Sequence, residues 1–467
     1  MMRVWVTERI RELISTIQHC SGWLVASVYL SLLLDNVLLT AVVPIIPDYL
    51  YRLEHHDDPT STDGTFLRSN STYNFPSPVT NENGKVGIML ASKAFVQLLS
   101  NSLVGSCTNR VGYKSLLLVG NIVILASSFL FATGETFVLL FAARAIQGVG
   151  SSCVTIAGLG AVASRYPDDA KRSKVIGFTL GGAAVGVLAG YPFGGILYDF
   201  MGKATPFTIL TIVTFLLCIL SGIIAWPRDE EMSCPGAVSV ITLLRDTYVL
   251  TIAGAICLTT SAMAILEPCL PIWLMDAISP SRWELGTVFI PDSLGYLIGT
   301  SFFGKVAVRN GRWGTAMSSM LLVGASAILI PVATSVLHLV GPHFGLGLGI
   351  GIVDAALMPL LALLVDSRHS TSYGTVFAIA ETAVSLAYCL GPAVAGYLVK
   401  QVGFPWVMRT VGILNIVSCP LCLLLRKAEH REEKNALALS RPAKSNYEAV
   451  QRASTGYTRF DEETDGQ

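Results

Sequence analysis

The chain has 467 residues, 52% of them hydrophobic and only 14% charged, with a mean hydropathy of +0.59. Soluble domains carry about 25% charged residues, so the composition excludes a soluble globular protein and defines an integral membrane protein. Lysine plus arginine equals the acids, 32 against 32, so no basic excess points to a nucleic-acid partner.

In chain order, residues 1–22 form a polar cytoplasmic N-terminal segment with Arg3, Arg9 and Arg11. It does not read as a cleavable leader, because the apolar run behind it is too long and no small-residue cleavage site closes that run. Apolar runs then recur at 24–46, 86–106, 115–133, 137–160, 175–197, 205–226, 247–275, 285–306, 315–336, 342–365, 373–399 and 405–425. A bilayer crossing needs ~20 apolar residues. Twelve spans are therefore predicted, each helical because lipid offers the backbone no hydrogen-bond partner. The polar stretch 227–246 is a linker that separates a half at 23–226 from a half at 247–426. The tail, 427–467, is polar and expected to be disordered. Its Glu433-Lys434-Asn435-Ala436-Leu437-Ala438 reads as a degraded acidic dileucine signal for sorting machinery.

Basic residues set the orientation. With the N-terminus inside, the inner segments hold Arg3, Arg9, Arg11, Arg110, Lys114, Arg165, Lys171, Arg172, Lys174, Arg228, Arg245, Lys305, Arg309, Arg312 and Arg368. The outer segments hold only Arg52, Arg68, Lys85, Lys203, Arg282 and Lys400, so both termini are expected in the cytoplasm. The loop 51–85 then faces the lumen and carries the sequon Asn70-Ser71-Thr72, with Asn70 as the glycosylation acceptor. The ten cysteines lie mostly in apolar runs and none falls in that loop, so no disulfide between lumenal loops and no metal site is expected. Cys419 and Cys422 read as packing residues.

Each half repeats the other. Gly105-x4-Arg110-x-Gly112 after the second span matches Gly304-x4-Arg309-x-Gly311 after the eighth, and Gly190-x-Pro192 has a loose echo in Gly391-Pro392. This pattern resembles the major facilitator transporters, whose loop after span two reads Gly-x-x-x-Asp-Arg-x-Gly-Arg. Here Asn109 replaces the acid, and Tyr113-Lys114 follow Gly112. The resemblance implies an all-α membrane fold of twelve transmembrane helices, in two six-helix halves with pseudo-two-fold symmetry. Its binding site would lie near the midplane between the halves.

The spans contain Asp35, Lys93, Arg144, Glu267, Asp354 and Glu381. A charge at the bilayer centre costs about 2.5–3.5 kcal/mol on insertion scales, so such groups face a bundle interior and find partners. Four acids face two bases. Two carboxylates should therefore hold protons unless a cationic substrate replaces them, which is a recipe for proton/cation exchange. Asp292 reads as solvated near the lumenal mouth, and Asp366 with Arg368 reads as a cytoplasmic helix end outside the site. Arg144 fits either a structural clamp, on Glu267 or on backbone carbonyls, or a coupling role. Gly181-Gly182, Gly186, Gly190 and Gly194-Gly195 permit close helix packing. They also fall where antiporters of the superfamily carry Gly-Pro-x-x-Gly-Gly, with Tyr191 in place of the proline. Pro268 and Pro271 should kink span seven beside Glu267. Tyr296, Phe289, Trp273 and Tyr388 are candidate faces for an ammonium group.

Longer strings narrow the resemblance. They are Leu34-Asp35-Asn36-Val37-Leu38-Leu39-Thr40-Ala41-Val42-Val43-Pro44-Ile45-Ile46-Pro47, Ala91-Ser92-Lys93-Ala94, Ala143-Arg144-Ala145-Ile146-Gln147-Gly148, Leu266-Glu267-Pro268, Gly351-Ile352-Val353-Asp354, Leu364-Val365-Asp366-Ser367-Arg368-His369 and Tyr373-Gly374-Thr375-Val376-Phe377-Ala378-Ile379-Ala380-Glu381. Together they resemble the vesicular amine transporters over residues 23–426. Gly150-Ser151-Ser152-Cys153 and Gly403-Phe404-Pro405-Trp406 favour the monoamine branch.

The resemblance implies a proton-coupled antiporter, not an enzyme. It would load serotonin, dopamine, noradrenaline, histamine or a related amine from the cytoplasm into acidic secretory or synaptic vesicles by alternating access. The partners are the cationic amine, protons and membrane lipid. The proton gradient supplies the energy and no cofactor is needed, consistent with the lack of a GxxxxGK[ST] loop. By the same resemblance Asp35, with Asn36 beside it, takes the ammonium, and Lys93 bridges Asp35 and Glu381. Arg144 and Glu267 form a second network in which Glu267 touches substrate, and Asp354 couples protons. Val187, Thr260, Met263, Tyr296 and Tyr388 line the pocket. Three departures stand out: Glu381 where the family has Asp, Thr260 where the branch has Asn, and Leu90 where it often has Phe. An acetylcholine, polyamine or multidrug antiporter of the same fold, and a non-transporting amine receptor, are the rival readings.

Overall fold

The computed structural model describes residues 16, 20–55, 82–225, 240–278, 287–368 and 373–427. The Asn70 sequon, the N-terminal arginines, most of the linker and the tail signal lie outside these residues. Within them run twelve long helices. The first half holds α1 Ser21–His55, α2 Glu82–Val111, α3 Tyr113–Thr133, α4 Phe137–Arg165, α5 Asp169–Met201 and α6 Ala204–Ala225. The second holds α7 Thr247–Ala277, α8 Ile290–Asn310, α9 Arg312–Leu329, α10 Val336–Arg368, α11 Tyr373–Val402 and α12 Phe404–Ser418. Each predicted run overlaps one of these helices. Eleven of the described helices are long and apolar enough to cross a membrane, and α8, with Asp292, Lys305 and Arg309, falls outside that set.

The packing is two-fold in pattern. In the first half α1 packs on α5, α2 on α4, and α3 between α4 and α6. The second half repeats this with α7 on α11, α8 on α10, and α9 between α10 and α12. The halves meet where α2 lies against α11 and α5 against α8. The repeated glycines explain the tight connections. Gly112 joins α2 to α3 with φ 86°, and its counterpart Gly311 joins α8 to α9 with φ 91°. With ψ of 154° and 126°, both occupy a region nearly closed to other residues. Gly311→Ala is expected to lose about 1–3 kcal/mol of stability to that strain. Gly254→Ala, mid-helix with open space around it, should lose none. Melting of the detergent-solubilised protein checks both.

The glycine-rich run of α5 serves packing. Gly182, Gly186, Gly190 and Gly194 recur every four residues and face the α1 backbone at Tyr29, Leu33, Val37 and Ala41. A Cβ at Gly182 would sit 2.6 Å from the Tyr29 carbonyl oxygen, so side chains there would force the two helices apart. This close approach fixes Asp35, on the same stretch of α1, relative to the rest of the bundle.

Candidate functional site

A cavity of about 470 Å³ lies between the halves, walled by α1, α2, α4, α5, α7, α8, α10 and α11. All six ionisable residues predicted for the midplane line it, as do Asn36, Val187, Thr260, Met263, Tyr296 and Tyr388.

Asp35 sits at its floor, 3% exposed. Ser151 Oγ donates to Asp35 Oδ2 at 2.7 Å, and Gln147 Nε2 donates to Oδ1 at 3.0 Å. Lys93 Nζ stands 3.5 Å from Oδ2. Both carboxylate oxygens are thus met, one of them by an ammonium at a longer, exchangeable distance. Asn36 is turned the other way, donating its amide to the Leu32 carbonyl at 2.8 Å.

Two predicted links are replaced by others. Lys93 was expected to bridge to Glu381, but among the described residues its ion pair is with Asp35. Gln97, one turn further along α2, reaches Glu381 Oε2 instead, at 3.5 Å. Arg144 was expected to meet Glu267. Its Nη1 donates to Gln147 Oε1 at 2.9 Å and to the Leu39 carbonyl at 3.3 Å, which is the carbonyl-clamp geometry. Glu267 Oε1 accepts from the Tyr191 hydroxyl at 2.9 Å, a bond that joins α5 to α7 across the two halves. The Tyr191 ring also stacks on Phe289, with centroids 6.2 Å apart. Tyr191 therefore crosses the cavity on the side away from the chain termini. Asp354 Oδ2 accepts from Tyr296 at 2.9 Å.

Asp292 is a correction. It is 7% exposed and lines the cavity rather than lying solvated at a mouth. The reason is the helix start. α8 begins at Ile290, later than the apolar run, and its first turn sinks against Gly347 of α10. A Cβ at Gly347 would stand 2.8 Å from Asp292 Oδ1, so only glycine admits the carboxylate. The cavity therefore gathers five acids, Asp35, Glu267, Asp292, Asp354 and Glu381, against Lys93 and Arg144. Trp273 is a second correction: it packs on Phe404, centroids 4.9 Å apart, and is absent from the cavity wall, whereas Phe289, Tyr296 and Tyr388 line it.

The sequence reading missed Gln97, Gln147, Ser151 and Tyr191 as site residues. Gln147 and Ser151 lie four apart on one face of α4, a spacing that was readable once Asp35 was taken to need donors.

At the face where α1 begins and α12 ends, here the terminal face, the halves are sealed. Arg172 of α5 is 1% exposed and donates from Nη1 to Asp366 Oδ2 at 2.6 Å. Arg312 of α9 reaches back to Asp169 Oδ2 at 2.5 Å and to Ser173 Oγ at 2.8 Å. Tyr373 donates its hydroxyl to Asp366. Asp366, read from sequence as a plain helix end, is thus the hub of a bridge between the halves.

Two six-helix halves around one acid-rich cavity, sealed at one face, make a secondary-transporter scaffold. The family model described as Major Facilitator Superfamily matches residues 28–372 and 252–455. The synaptic vesicular amine transporter of Bos taurus is 39% identical over 90% of this chain and 91% of its own. The chromaffin granule amine transporter of Rattus norvegicus is 40% identical over 88% of both. The solved structure of a human organic anion transporter overlays with a TM-score of 0.70 at 17% identity, covering 87% of this chain and all of that one, which bears on the fold alone. The chain belongs to the Major Facilitator Superfamily and, within it, to the vesicular amine transporters.

Proposed function

We propose that the chain loads cationic monoamines from the cytoplasm into acidic secretory or synaptic vesicles in exchange for protons. The observation that carries this is the imbalance of five carboxylates against two bases on one cavity, with Asp35 held by Ser151, Gln147 and Lys93. Buried charges that lack counter-ions are costly, so the excess is balanced by protons or by a cationic guest. An amine ammonium displaces Lys93 from Asp35 and takes over the same oxygens. The Tyr296–Asp354 pair and Glu381 hold protons that leave when the cavity faces the cytoplasm and return from the lumen, where their arrival releases the amine.

Positive-inside bias puts the terminal face in the cytoplasm. The sealed terminal face then corresponds to a carrier closed to the cytoplasm, with the Tyr191–Glu267 bond as the remaining barrier on the lumenal side. The protein would need no cofactor beyond the proton gradient.

The test is uptake of radiolabelled serotonin, dopamine and acetylcholine into acid-loaded vesicles bearing the protein, with and without a protonophore. A monoamine should accumulate and the protonophore should abolish its accumulation. Accumulation of acetylcholine alone would move the chain to the sister branch, and binding without gradient-driven accumulation of any amine would overturn the antiport reading.

A further inference from the structure

Asp292 counts in the charge balance of the cavity, but it is the one acid there to which the exchange scheme gives no role of its own. It is 7% exposed, and no donor among the described residues reaches its buried Oδ1. No lysine or arginine pairs with it or with Glu267 within 4 Å among those residues, in contrast to Asp35 with its Lys93. Beside it stand aromatic surfaces: Phe289 lies one turn earlier, stacked on Tyr191, and His343 packs on Phe289 with centroids 5.7 Å apart. A carboxylate without a counter-ion next to ring faces is the chemistry that holds an ammonium group.

This acid is set apart from Asp35. Gly190, next to Tyr191, packs on Val37 and Thr40 of α1, so the backbone at Tyr191 stands level with a point about one helical turn, roughly 5 Å, beyond Asp35 along α1. Phe289, one turn before Asp292 at the start of α8, is stacked on Tyr191 and so belongs to this level. The cavity therefore has two anionic poles at different depths: one carries its own lysine and the other has none.

We infer that Asp292 forms a second cation subsite in the cavity, and that the cavity binds an aliphatic diamine more tightly than the matching aliphatic monoamine. One ammonium sits at Asp35 and the other at Asp292. This deepens the proposed function and rests on its assignment of the cavity as the amine site.

The experiment is calorimetric titration of the purified full-length protein in lipid nanodiscs with putrescine and with butylamine. The two match in carbon count and differ by one ammonium. Putrescine should bind at least about tenfold more tightly in the wild type, a difference of about 1.4 kcal/mol. Asp292→Asn should bring that ratio close to one, and Asp292→Glu should preserve most of it. Equal affinities in the wild type, no binding of putrescine, or an unchanged ratio in Asp292→Asn would each overturn the inference. Because the titration needs no gradient, loss of serotonin accumulation with an intact putrescine preference would overturn the antiport reading alone.

Discussion

Asp35→Asn should abolish gradient-driven amine accumulation, and the loss should not be repaired by restoring stability. Asn is close in shape, and Ser151 and Gln147 can still hydrogen-bond its amide group. What disappears is the charge that an ammonium pairs with. Removing one member of a buried charge pair costs about 2–5 kcal/mol in binding, so affinity should fall about thirtyfold or more. The same change strands Lys93, 8% exposed, without its partner at 3.5 Å. A buried pair broken on one side typically loses about 3–5 kcal/mol of stability. The double variant Asp35→Asn/Lys93→Gln removes both charges and should recover most of the melting temperature while remaining inactive. Recovery of uptake in the double variant would show that Asp35 matters only as the counter-ion of Lys93. Melting curves and serotonin uptake, measured on the same preparations, separate the two effects.

The twelve helices and their division into halves were legible because lipid leaves few options: a run of apolar residues long enough to span must be helical. The repeat was legible because Gly112 and Gly311 are required by backbone conformation, not by any particular side-chain partner. That the six midplane charges would line one cavity was also legible, since an ionisable residue inside a span has to face the interior. Pairing was not. Which acid Lys93 or Arg144 meets depends on angstrom-scale approach between helices distant in sequence, and Gln97 and Gln147 occupy the positions where ion pairs were expected. Asp292 was misplaced because its burial depends on Gly347, on another helix, making room for it. Tyr191 looked like a defect in a glycine-proline signature, and its role emerges only when Glu267 of the other half stands 2.9 Å from its hydroxyl.

Arg172→Ala should unseal the terminal face and stop transport while the cavity remains able to bind amine. Arg172 holds Asp366 and Asp169 together, and through Asp169 it connects to Arg312. Its own side chain is 1% exposed, whereas the two acids are each 33% exposed, so water recovers part of what the acids lose. Of the 3–5 kcal/mol typical of a buried pair, roughly 2 kcal/mol should remain as a penalty on the sealed state. That moves the balance between sealed and open about thirtyfold. Across the same seam the Arg312–Asp169 pair remains, with the Gly374 N–H donated to the Tyr113 hydroxyl. Gly374 of α11 lies against Thr108 of α2, and Gly304 of α8 lies against the Ser173 carbonyl of α5, contacts that let the halves approach closely but add no charge pairing. A cysteine placed at Thr108, 2% exposed, reports on the seam once the exposed Cys20 and Cys107 and the linker's Cys234 are replaced. Its labelling by a membrane-impermeant maleimide from the terminal side should rise at least about tenfold in Arg172→Ala. Serotonin accumulation should fall in proportion, because a carrier that rarely closes this face rarely presents its cargo to the other. Unchanged labelling alongside lost uptake would place the work of Arg172 elsewhere. Unchanged uptake alongside raised labelling would mean that the glycine seam, not the ion bridge, is what separates the two compartments.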